Sequence, residues 1–289
     1  MDVGVAAALE AAVGARVAAT RPVSGGDINR AHAVQLSDGR RLFVKWSSRT
    51  PAGMFAAEAR GLAWLAEAGA LRVPEVVAVG EAFLALELVV AATPARDFDE
   101  RLGRGLAALH QFGAPRFGLD HDNFIGRLPQ ANAAVAPDAW ADFYRRRRLE
   151  AQLRMAADEG LASSRMRRGF ERLFAAIVDE PDAVLGPAEP PARLHGDLWG
   201  GNLLCDDAGA PCLCDPAVYG GHREIDLAMM RLFGGFGRRV FEAYDEAYPL
   251  ADGHAERVAV YQLYPLMVHV NLFGGSYVGQ VESLLDRIA

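Results

Sequence analysis

A change in sequence pattern near residue 90 divides this 289-residue chain into two parts. The first part has short apolar runs separated by turn signals, of which Asp38-Gly39 is the strongest because this dipeptide favours tight hairpins. The runs predict five strands, at residues 16–23, 28–36, 41–46, 75–79 and 83–89. Residues 54–68 carry apolar side chains at helical spacing. We therefore expect a five-stranded antiparallel sheet with one helix.

The rest of the chain is expected to be rich in helices. Apolar residues recur three and four positions apart over residues 98–112, 139–160 and 166–178. Two short strands, at residues 203–205 and 212–214, interrupt this pattern around a turn. The sequence predicts an α+β fold of two lobes, an N-lobe at residues 1–89 and a C-lobe at residues 90–289. Ligands tend to bind in the cleft between such lobes.

Composition and charge disfavour several kinds of partner. A formal net charge of −7 and a pI near 5.5 argue against a nucleic-acid surface, which needs a basic face. The run of arginines at 145–148 has acidic neighbours and predicts a solvated helix, in which one arginine could pair inward. No apolar run is long enough to span a bilayer. The apolar residues 1–14 lack the basic start of a signal peptide and predict a surface helix. Three cysteines cannot all pair with one another, so with no signal peptide we expect reduced thiols in a cytoplasmic protein. We also expect a monomer.

The segment His195-Gly-Asp197-Leu-Trp-Gly-Gly-Asn202 carries the clearest chemical signal. Its Asp and Asn lie five positions apart (202 − 197), as in the catalytic-loop pattern H-x-D-x-x-x-x-N. In that chemistry the Asp accepts the proton of an attacking hydroxyl, and the Asn helps to hold Mg²⁺ beside the phosphates. A second acid, Asp215, ends the strand that follows and adds an oxygen ligand. Taken singly, Asp197 could be a turn residue and Asp215 a helix cap. Together they predict an ATP- and Mg²⁺-dependent kinase with Asp197 as base and Asn202 and Asp215 as metal ligands.

Lys45 is the only lysine among the 30 lysines and arginines of the chain. An arginine can serve any surface role of a lysine, so the exception indicates a need for a compact ammonium, although chance in an arginine-rich chain would also produce it. On its strand, Lys45 faces away from Val44 and Trp46. We expect it to bind the α- and β-phosphates of ATP, held by an ion pair with Glu58. The alternative for Glu58 is a solvated helix face.

Two further nucleotide contacts follow from position alone. Gly25 and Gly26 lie between the first two strands, where glycine lets backbone N–H groups approach phosphate. A plain hairpin turn is the alternative reading of these glycines. At the predicted lobe junction, the carbonyl of Glu87 and the N–H of Val89 are expected to hydrogen-bond an adenine edge.

The chain resembles the fructosamine (ketosamine) kinase family, a branch of the aminoglycoside- and choline-kinase type of protein-kinase-like fold. The resemblance lies in Trp140, Phe143 and residues 25–30, 43–45, 117–123, 195–199, 215–217, 221–228, 261–264 and 272–274. The elements H-G-D-L-W, Y-Q-L-Y and F-G-L-D-x-D-N separate this family from its relatives. The resemblance implies phosphoryl transfer from ATP to a ketosamine sugar, typically to its 3-hydroxyl, in the repair of glycated amines or proteins. It favours ribulosamine or erythrulosamine adducts over fructosamine.

The same resemblance suggests three supporting residues. Trp199 lies two positions after the base and could stack on a sugar ring, or it could fill the core. His269, in a C-terminal motif of the family, could reach the sugar, although a lone histidine in an apolar helix is more often a core residue. Asp226 is expected to brace the catalytic loop by accepting backbone hydrogen bonds.

Other functions remain open at this point. A kinase of another small alcohol or amino sugar, such as an aminoglycoside or choline, would share Asp197, Asn202, Asp215 and Lys45. A pseudokinase that binds nucleotide without catalysis is disfavoured, because it has no reason to keep all four residues. A metal-dependent phosphohydrolase is disfavoured as well, because it gives no role to Lys45.

Overall fold

An antiparallel sheet of five strands forms the N-terminal part of the protein. The structure is a computed structural model that describes residues 1–23, 30–136 and 139–288. The strands are β1 (Val17–Pro22), β2 (Arg30–Leu36), β3 (Arg41–Trp46), β4 (Val76–Val79) and β5 (Phe83–Glu87), in the order β1-β2-β3-β5-β4. β2 and β3 join at the predicted hairpin, where Gly39 has the positive φ of 90° that such turns require. The prediction of five antiparallel strands is confirmed.

Two helices accompany this sheet. α1 (Val3–Val13) is mostly exposed and buries only Val5 and Leu9 in the apolar cluster on the sheet. This is the surface helix expected near the N-terminus. α2 (Met54–Ala66) buries Phe55 and other apolar residues against β5, as its helical spacing predicts. The sheet is therefore covered by α2 on the side that leads to the cavity described below.

The remainder of the chain is dominated by helices. They are α3 (Phe98–Phe112), α4 (Trp140–Phe143), a π-helical segment (Tyr144–Leu149), α5 (Glu150–Asp158), α6 (Ser164–Asp179), α7 (Pro181–Leu185), α8 (Glu224–Phe233), α9 (Arg238–Ala247), α10 (His254–Phe273) and α11 (Val278–Ile288). The three predicted helical regions are confirmed. Along the described residues, no helix is both long and apolar enough to cross a membrane.

Three small hairpin-like sheets lie among these helices. They pair β6 (Asn123–Ile125) with β7 (Leu128–Gln130), β8 (Ala192–Leu194) with β11 (Tyr219–Gly221), and β9 (Leu203–Cys205) with β10 (Pro211–Leu213). The sequence predicts only the β9–β10 pair, whose two strands flank a turn at residues 206–209. The two others support the catalytic loop and the residues that follow Asp215.

An aromatic cluster forms the core beneath these sheets. Trp140 stacks on Tyr144 with ring centroids 5.1 Å apart, and its Nε1 donates to the hydroxyl of Tyr261 at 3.1 Å. The hydroxyl of Tyr144 donates to the carbonyl of Val260 at 2.7 Å. The family-specific Trp140 and Y-Q-L-Y residues therefore join α4 to α10. All three cysteines are free thiols.

Arg72 connects the N-terminal sheet to the β9–β10 turn. Its guanidinium lies 2.8 Å from Asp206 and 3.2 Å from Glu87, the last residue of β5. Its carbonyl accepts a hydrogen bond from Leu213 N at 2.8 Å. The hydrogen bond that Arg72 donates to Asp206 and the charge of Glu87 raise the pKa of Arg72 above its usual value. These contacts hold the end of β5 close to the hairpin that carries Asp215. The exact division into lobes at residue 90 stays a prediction.

Candidate active site

A cavity of about 590 Å³ lies where β3 and α2 face the catalytic loop. Its polar residues include those that the motifs single out: Lys45, Glu58, Asp197, Asn202 and Asp215. Aromatic side chains line another part of the same cavity: Phe124, Trp199, Phe233, His269, Phe273 and Tyr277. Chain segments as distant as β3 and α10 therefore contribute to one site.

Lys45 forms the ion-pair centre of this cavity. Its side chain is almost fully buried, with Nζ 2.5 Å from Glu58 Oε1 and 2.6 Å from Asp215 Oδ1. Burial by itself would lower the pKa of Lys45, but the two carboxylates raise it above its usual value. The ammonium is therefore charged and held by both carboxylates. The expected pair with Glu58 is present, and Asp215 joins it.

Asp197 and Asn202 are joined by side-chain hydrogen bonds. Asn202 Nδ2 donates to the carbonyl oxygen of Asp197 at 2.7 Å and to its Oδ2 at 3.1 Å. Burial raises the pKa of Asp197 to about 7, against the lowering effect of the Asn202 hydrogen bond. A carboxylate with a proton affinity near neutrality suits a general base. Because Asn202 Nδ2 donates these hydrogen bonds to Asp197, its Oδ1 is the side-chain atom that can bind a cation.

Asp215 adopts a strained backbone conformation at the end of β10. Its φ of 56° is the only positive value among the non-glycine residues that the structure describes. The β9–β10 hairpin returns the chain to the catalytic loop, and Cys214 N donates to the carbonyl of Asn202 at 3.0 Å. The side chain of Asp215 stays one-third exposed to the cavity. The predicted strand–turn–strand return of the second carboxylate is thus present.

The residues present fit a magnesium ion better than a softer metal. Within the described residues, no group of three or more His, Cys, Asp or Glu side chains is arranged to hold a metal by itself. Asn202 and Asp215 offer hard oxygen atoms, and Mg²⁺ usually takes one or two such protein ligands together with phosphate and water. The donor set is therefore that of a metal that arrives with a phosphate-bearing ligand.

Asp226 braces the catalytic loop, as expected. It is fully buried, and its oxygens accept hydrogen bonds from His195 N at 2.8 Å and Gly196 N at 2.9 Å. His110 Nε2 lies 3.2 Å from the same carboxylate. Burial opposes the charge, but the His110 contact and the loop N–H groups lower the pKa of Asp226 overall. A Cβ at Gly196 would collide with the Ala217 carbonyl, so the loop fits its neighbour closely.

Replacing Asp226 with Asn is expected to lower the free energy of unfolding by about 1.5–3 kcal/mol, because the loop N–H groups lose a charged acceptor. Urea denaturation measures this change, with Asp245→Asn on the exposed face of α9 as the control. Since the folded pKa of Asp226 is depressed, its stabilisation is present above the unfolded pKa and is lost as the pH falls. The difference between wild type and variant should therefore shrink below about pH 4. An unchanged difference at low pH would contradict the assignment.

Trp199 and His269 both line the cavity. Trp199 is 38% exposed, so the core-filling interpretation of this residue is wrong. His269 is half-buried, and its Nδ1 donates to the Pro265 carbonyl at 2.8 Å, because a carbonyl can only accept. Its ring lies 4.4 Å from that of Phe233 and 5.0 Å from that of Tyr277. His269 therefore belongs to the aromatic wall of the cavity, a name we give to the rings of Phe124, Trp199, Phe233, His269, Phe273 and Tyr277.

Of the four remaining predicted nucleotide contacts, two do not line the cavity and two lie outside the described residues. Glu87 and Val89, both in the described part, do not line the cavity, and the side chain of Glu87 pairs with Arg72. The adenine contact of their backbone groups stays a prediction. Gly25 and Gly26 lie outside the described residues.

Sequence reasoning missed most of the aromatic wall. Phe124 follows the F-G-L-D-x-D-N element, and Phe273 lies in the 272–274 element, yet neither element received a role in the site. Phe233 ends α8 and Tyr277 precedes α11, so nothing in the local pattern connects them. These four aromatic residues share only their positions in a short strand or beside a helix end, and the fold brings them together.

Comparison with known proteins agrees with this geometry. The family model for fructosamine kinase matches residues 1–289. A protein of Synechocystis assigned as a ketoamine kinase is 39% identical over 279 residues, covering 94% of this chain and 90% of the relative. A solved structure from Thermobifida fusca, assigned as a fructosamine-3-kinase, is 40% identical with a TM-score of 0.88 over 98% of each chain.

A more distant likeness concerns the fold alone. The streptomycin–ATP complex of the phosphotransferase APH(2″)-IIa is 15% identical with a TM-score of 0.65, over 99% of this chain and 96% of that one. The predicted kinase-like fold is therefore confirmed. With the match along its whole length and the two close relatives, the chain belongs to the fructosamine kinase family and is a phosphotransferase of the ketoamine kinase type.

Proposed function

We propose that this protein transfers the γ-phosphoryl group of ATP to the 3-hydroxyl of a ketosamine sugar, and so takes part in the repair of glycated amines. The observation that carries the proposal is the presence of a base, a buried ammonium and an aromatic wall in one cavity, at Asp197, Lys45 and Trp199. The use of ATP is supported by the fold likeness to a phosphotransferase solved with ATP. Ribulosamine and erythrulosamine adducts are the proposed substrates, either free or attached to protein.

The chemistry assigns one role to each polar residue. Asp197 accepts the proton of the sugar hydroxyl while the oxygen of that hydroxyl forms a bond to the γ-phosphorus. The bond from that phosphorus to the β–γ bridging oxygen breaks, and ADP leaves with the electron pair. Lys45 places a positive charge on the phosphate side, and Glu58 fixes the direction of its ammonium. Asn202 and Asp215 would hold Mg²⁺, which would supply positive charge beside the phosphates.

The aromatic wall gives the acceptor a binding surface. The exposed ring of Trp199 can stack on the apolar face of a sugar, two residues from the base. His269 lines the same cavity, and its imidazole is proposed as a second contact for the sugar. These two contacts are proposals for the sugar. The adenine contacts at Glu87 and Val89, the phosphate contacts at Gly25 and Gly26, the cytoplasmic location and the monomeric state are sequence-based predictions.

Asp215→Asn is expected to raise the Mg²⁺ concentration for half-maximal activity by about tenfold or more, because a neutral amide is a weaker ligand for a dication. A magnesium titration of the initial rate at fixed ATP measures this shift. Asp207→Asn, on the turn of the same hairpin, removes an exposed carboxylate outside the cavity and is the control. An unaltered Mg²⁺ dependence in Asp215→Asn would argue against its role as a ligand.

One panel of acceptors tests the proposed substrate class. The protein is incubated with ATP, Mg²⁺ and each of ribulosyl-lysine, erythrulosyl-lysine, fructosyl-lysine, kanamycin and choline, and ADP release is followed. We expect the highest kcat/KM for the ribulosyl or erythrulosyl adduct. Turnover of kanamycin or choline without turnover of any ketosamine would replace the proposal with the amino-sugar or choline alternative.

A further inference from the structure

Arg148 is an arginine in the core of the C-terminal part, with no exposed surface. It belongs to the π-helical segment at residues 144–149, a geometry that is often found at functional sites. Among the described residues its guanidinium donates to neutral oxygens, a backbone carbonyl and a side-chain amide, and not to a carboxylate. Its guanidinium carbon lies 3.8 Å from the ring centroid of Tyr219 and 4.7 Å from that of Phe143. Because burying an uncompensated charge is costly, the hydrogen bonds of this cation need an explanation.

Those hydrogen bonds begin a relay of side-chain amides. Arg148 Nη1 donates to the carbonyl of Ala131 at 2.8 Å, and Nη2 donates to Asn132 Oδ1 at 2.7 Å. A guanidinium can only donate, so the oxygen of the Asn132 amide must face it. Asn132 Nδ2 then donates to Asn123 Oδ1 at 2.7 Å, and Asn123 Nδ2 donates to the Val218 carbonyl at 2.8 Å. Each bond thus fixes the orientation of the next amide.

A second branch enters the relay from α10. The hydroxyl of Tyr264 donates to Gln130 Oε1 at 2.5 Å. Gln130 Nε2 then donates to Asn123 Oδ1 at 2.8 Å and to the Ala217 carbonyl at 3.1 Å. Both branches run in the same direction and end on consecutive carbonyls. We call the set of Arg148, Asn132, Asn123, Gln130 and Tyr264 the amide relay; every member is buried.

The amide relay joins two walls of the cavity. Asn123 begins β6, and it lines the cavity together with the next residues, Phe124 and Ile125. Ala217 lines the cavity from the segment that starts at Asp215. The relay therefore fixes the acceptor-side wall of β6 relative to the residues that follow the predicted metal ligand. Arg148 itself does not line the cavity.

We propose that Arg148 is a positioning residue that acts through the amide relay: it sets the distance between the β6 wall and the Asp215 segment, and so the affinity of the site for its acceptor and for Mg²⁺-nucleotide. The acceptor half of this inference rests on the proposed function. The nucleotide half rests on the proposed use of ATP but not on the acceptor, and Mg²⁺-ADP binding is measured without turnover, so the two halves are tested apart.

Asn132→Asp breaks the relay at one bond without removing Arg148. A carboxylate at this position still accepts from the guanidinium, and it gives the buried cation an ion pair. It has no N–H to donate to Asn123 Oδ1, so two acceptor oxygens face each other where the 2.7 Å hydrogen bond was, and this repulsion displaces Asn123 against the remaining hydrogen bond from Gln130. We expect a melting temperature equal to or above that of the wild type. We also expect an increase of about tenfold in the acceptor KM and in the dissociation constant of Mg²⁺-ADP, with a smaller change in kcat.

Gln152→Glu is the matched control for this variant. Gln152 is also buried, and its Oε1 accepts a hydrogen bond from Asn271 Nδ2 at 2.7 Å, so the same amide-to-acid change keeps that acceptor. It lies on α5, outside the amide relay. A merely destabilising effect of a buried acid would appear in both variants, whereas the proposal requires the binding changes in Asn132→Asp alone.

The measurements are steady-state kinetics with the acceptor, calorimetric titration with Mg²⁺-ADP and thermal unfolding, each on the full chain. Folded Asn132→Asp with acceptor KM and Mg²⁺-ADP affinity within about twofold of the wild type overturns the proposal. A similar shift in Gln152→Glu overturns it as well. If the wild type turns over no ketosamine, the proposed function fails, and the calorimetric comparison still decides the nucleotide half.

Discussion

Replacing Asp197 with Asn is expected to lower kcat by about 10²–10⁴-fold, the usual cost of losing a positioned general base. The amide keeps the size of the side chain and can still meet Asn202, so the loop geometry should survive. Lys45, Glu58 and Asp215 are unaltered, so nucleotide affinity should change little. Steady-state kinetics and calorimetric titration with Mg²⁺-ADP measure the two quantities separately.

Asp158→Asn provides the comparison for this variant. Asp158 ends α5 and is exposed, so the same change of charge occurs outside the cavity. The pseudokinase alternative makes the opposite prediction for Asp197→Asn, because a protein without turnover has no rate to lose. Near-normal turnover in Asp197→Asn would show that Asp197 is not the general base, and another proton acceptor in the cavity would then be required.

Lys45→Arg is the second variant for which we expect a large effect. The substitution keeps the positive charge, so Glu58 and Asp215 are not left unpaired in a buried site. A guanidinium is larger and planar, and it cannot occupy the point at which one nitrogen meets two carboxylates at 2.5 and 2.6 Å. We expect kcat/KM for ATP to fall by about 10²–10³-fold, as for the loss of one preorganised donor.

Arg41→Lys is the converse change on the same strand. Arg41 is exposed at the start of β3, where the choice between the two cations should make no difference to catalysis. Comparing the two variants therefore separates the need for an ammonium at one position from a general tolerance of either cation. Wild-type kcat/KM in Lys45→Arg would show that the lone lysine is a consequence of composition.

The chemical centre of the site could be predicted from sequence because its residues lie in local patterns. The spacing of Asp197 and Asn202 is fixed within one loop, and a two-stranded return brings Asp215 back to that loop. Lys45 lies on a strand whose alternation determines the face of each side chain. The left-handed backbone of Asp215 could not be predicted, because aspartate is uncommon there and the neighbouring chain enforces it.

The acceptor side depends on contacts between distant segments. Trp199 could equally have been a core residue, and only the packing of the loop shows that its ring is exposed. In the run 145–148 one arginine does turn inward, but the expected ion pair is replaced by aromatic rings and amides. Which arginine is buried depends on the π-helical turn, and this geometry has no signature in the local sequence.

The buried state of Lys45 has a consequence for the protein's own chemistry. Reducing sugars condense with neutral, accessible amines, and lysine ε-amines are the common protein targets. This chain has one such amine, 5% exposed, and its two carboxylate partners keep it protonated. Its surface therefore offers sugars no exposed lysine ε-amine to modify. A protein proposed to reverse glycation would in this way keep its own surface free of the adduct that it removes.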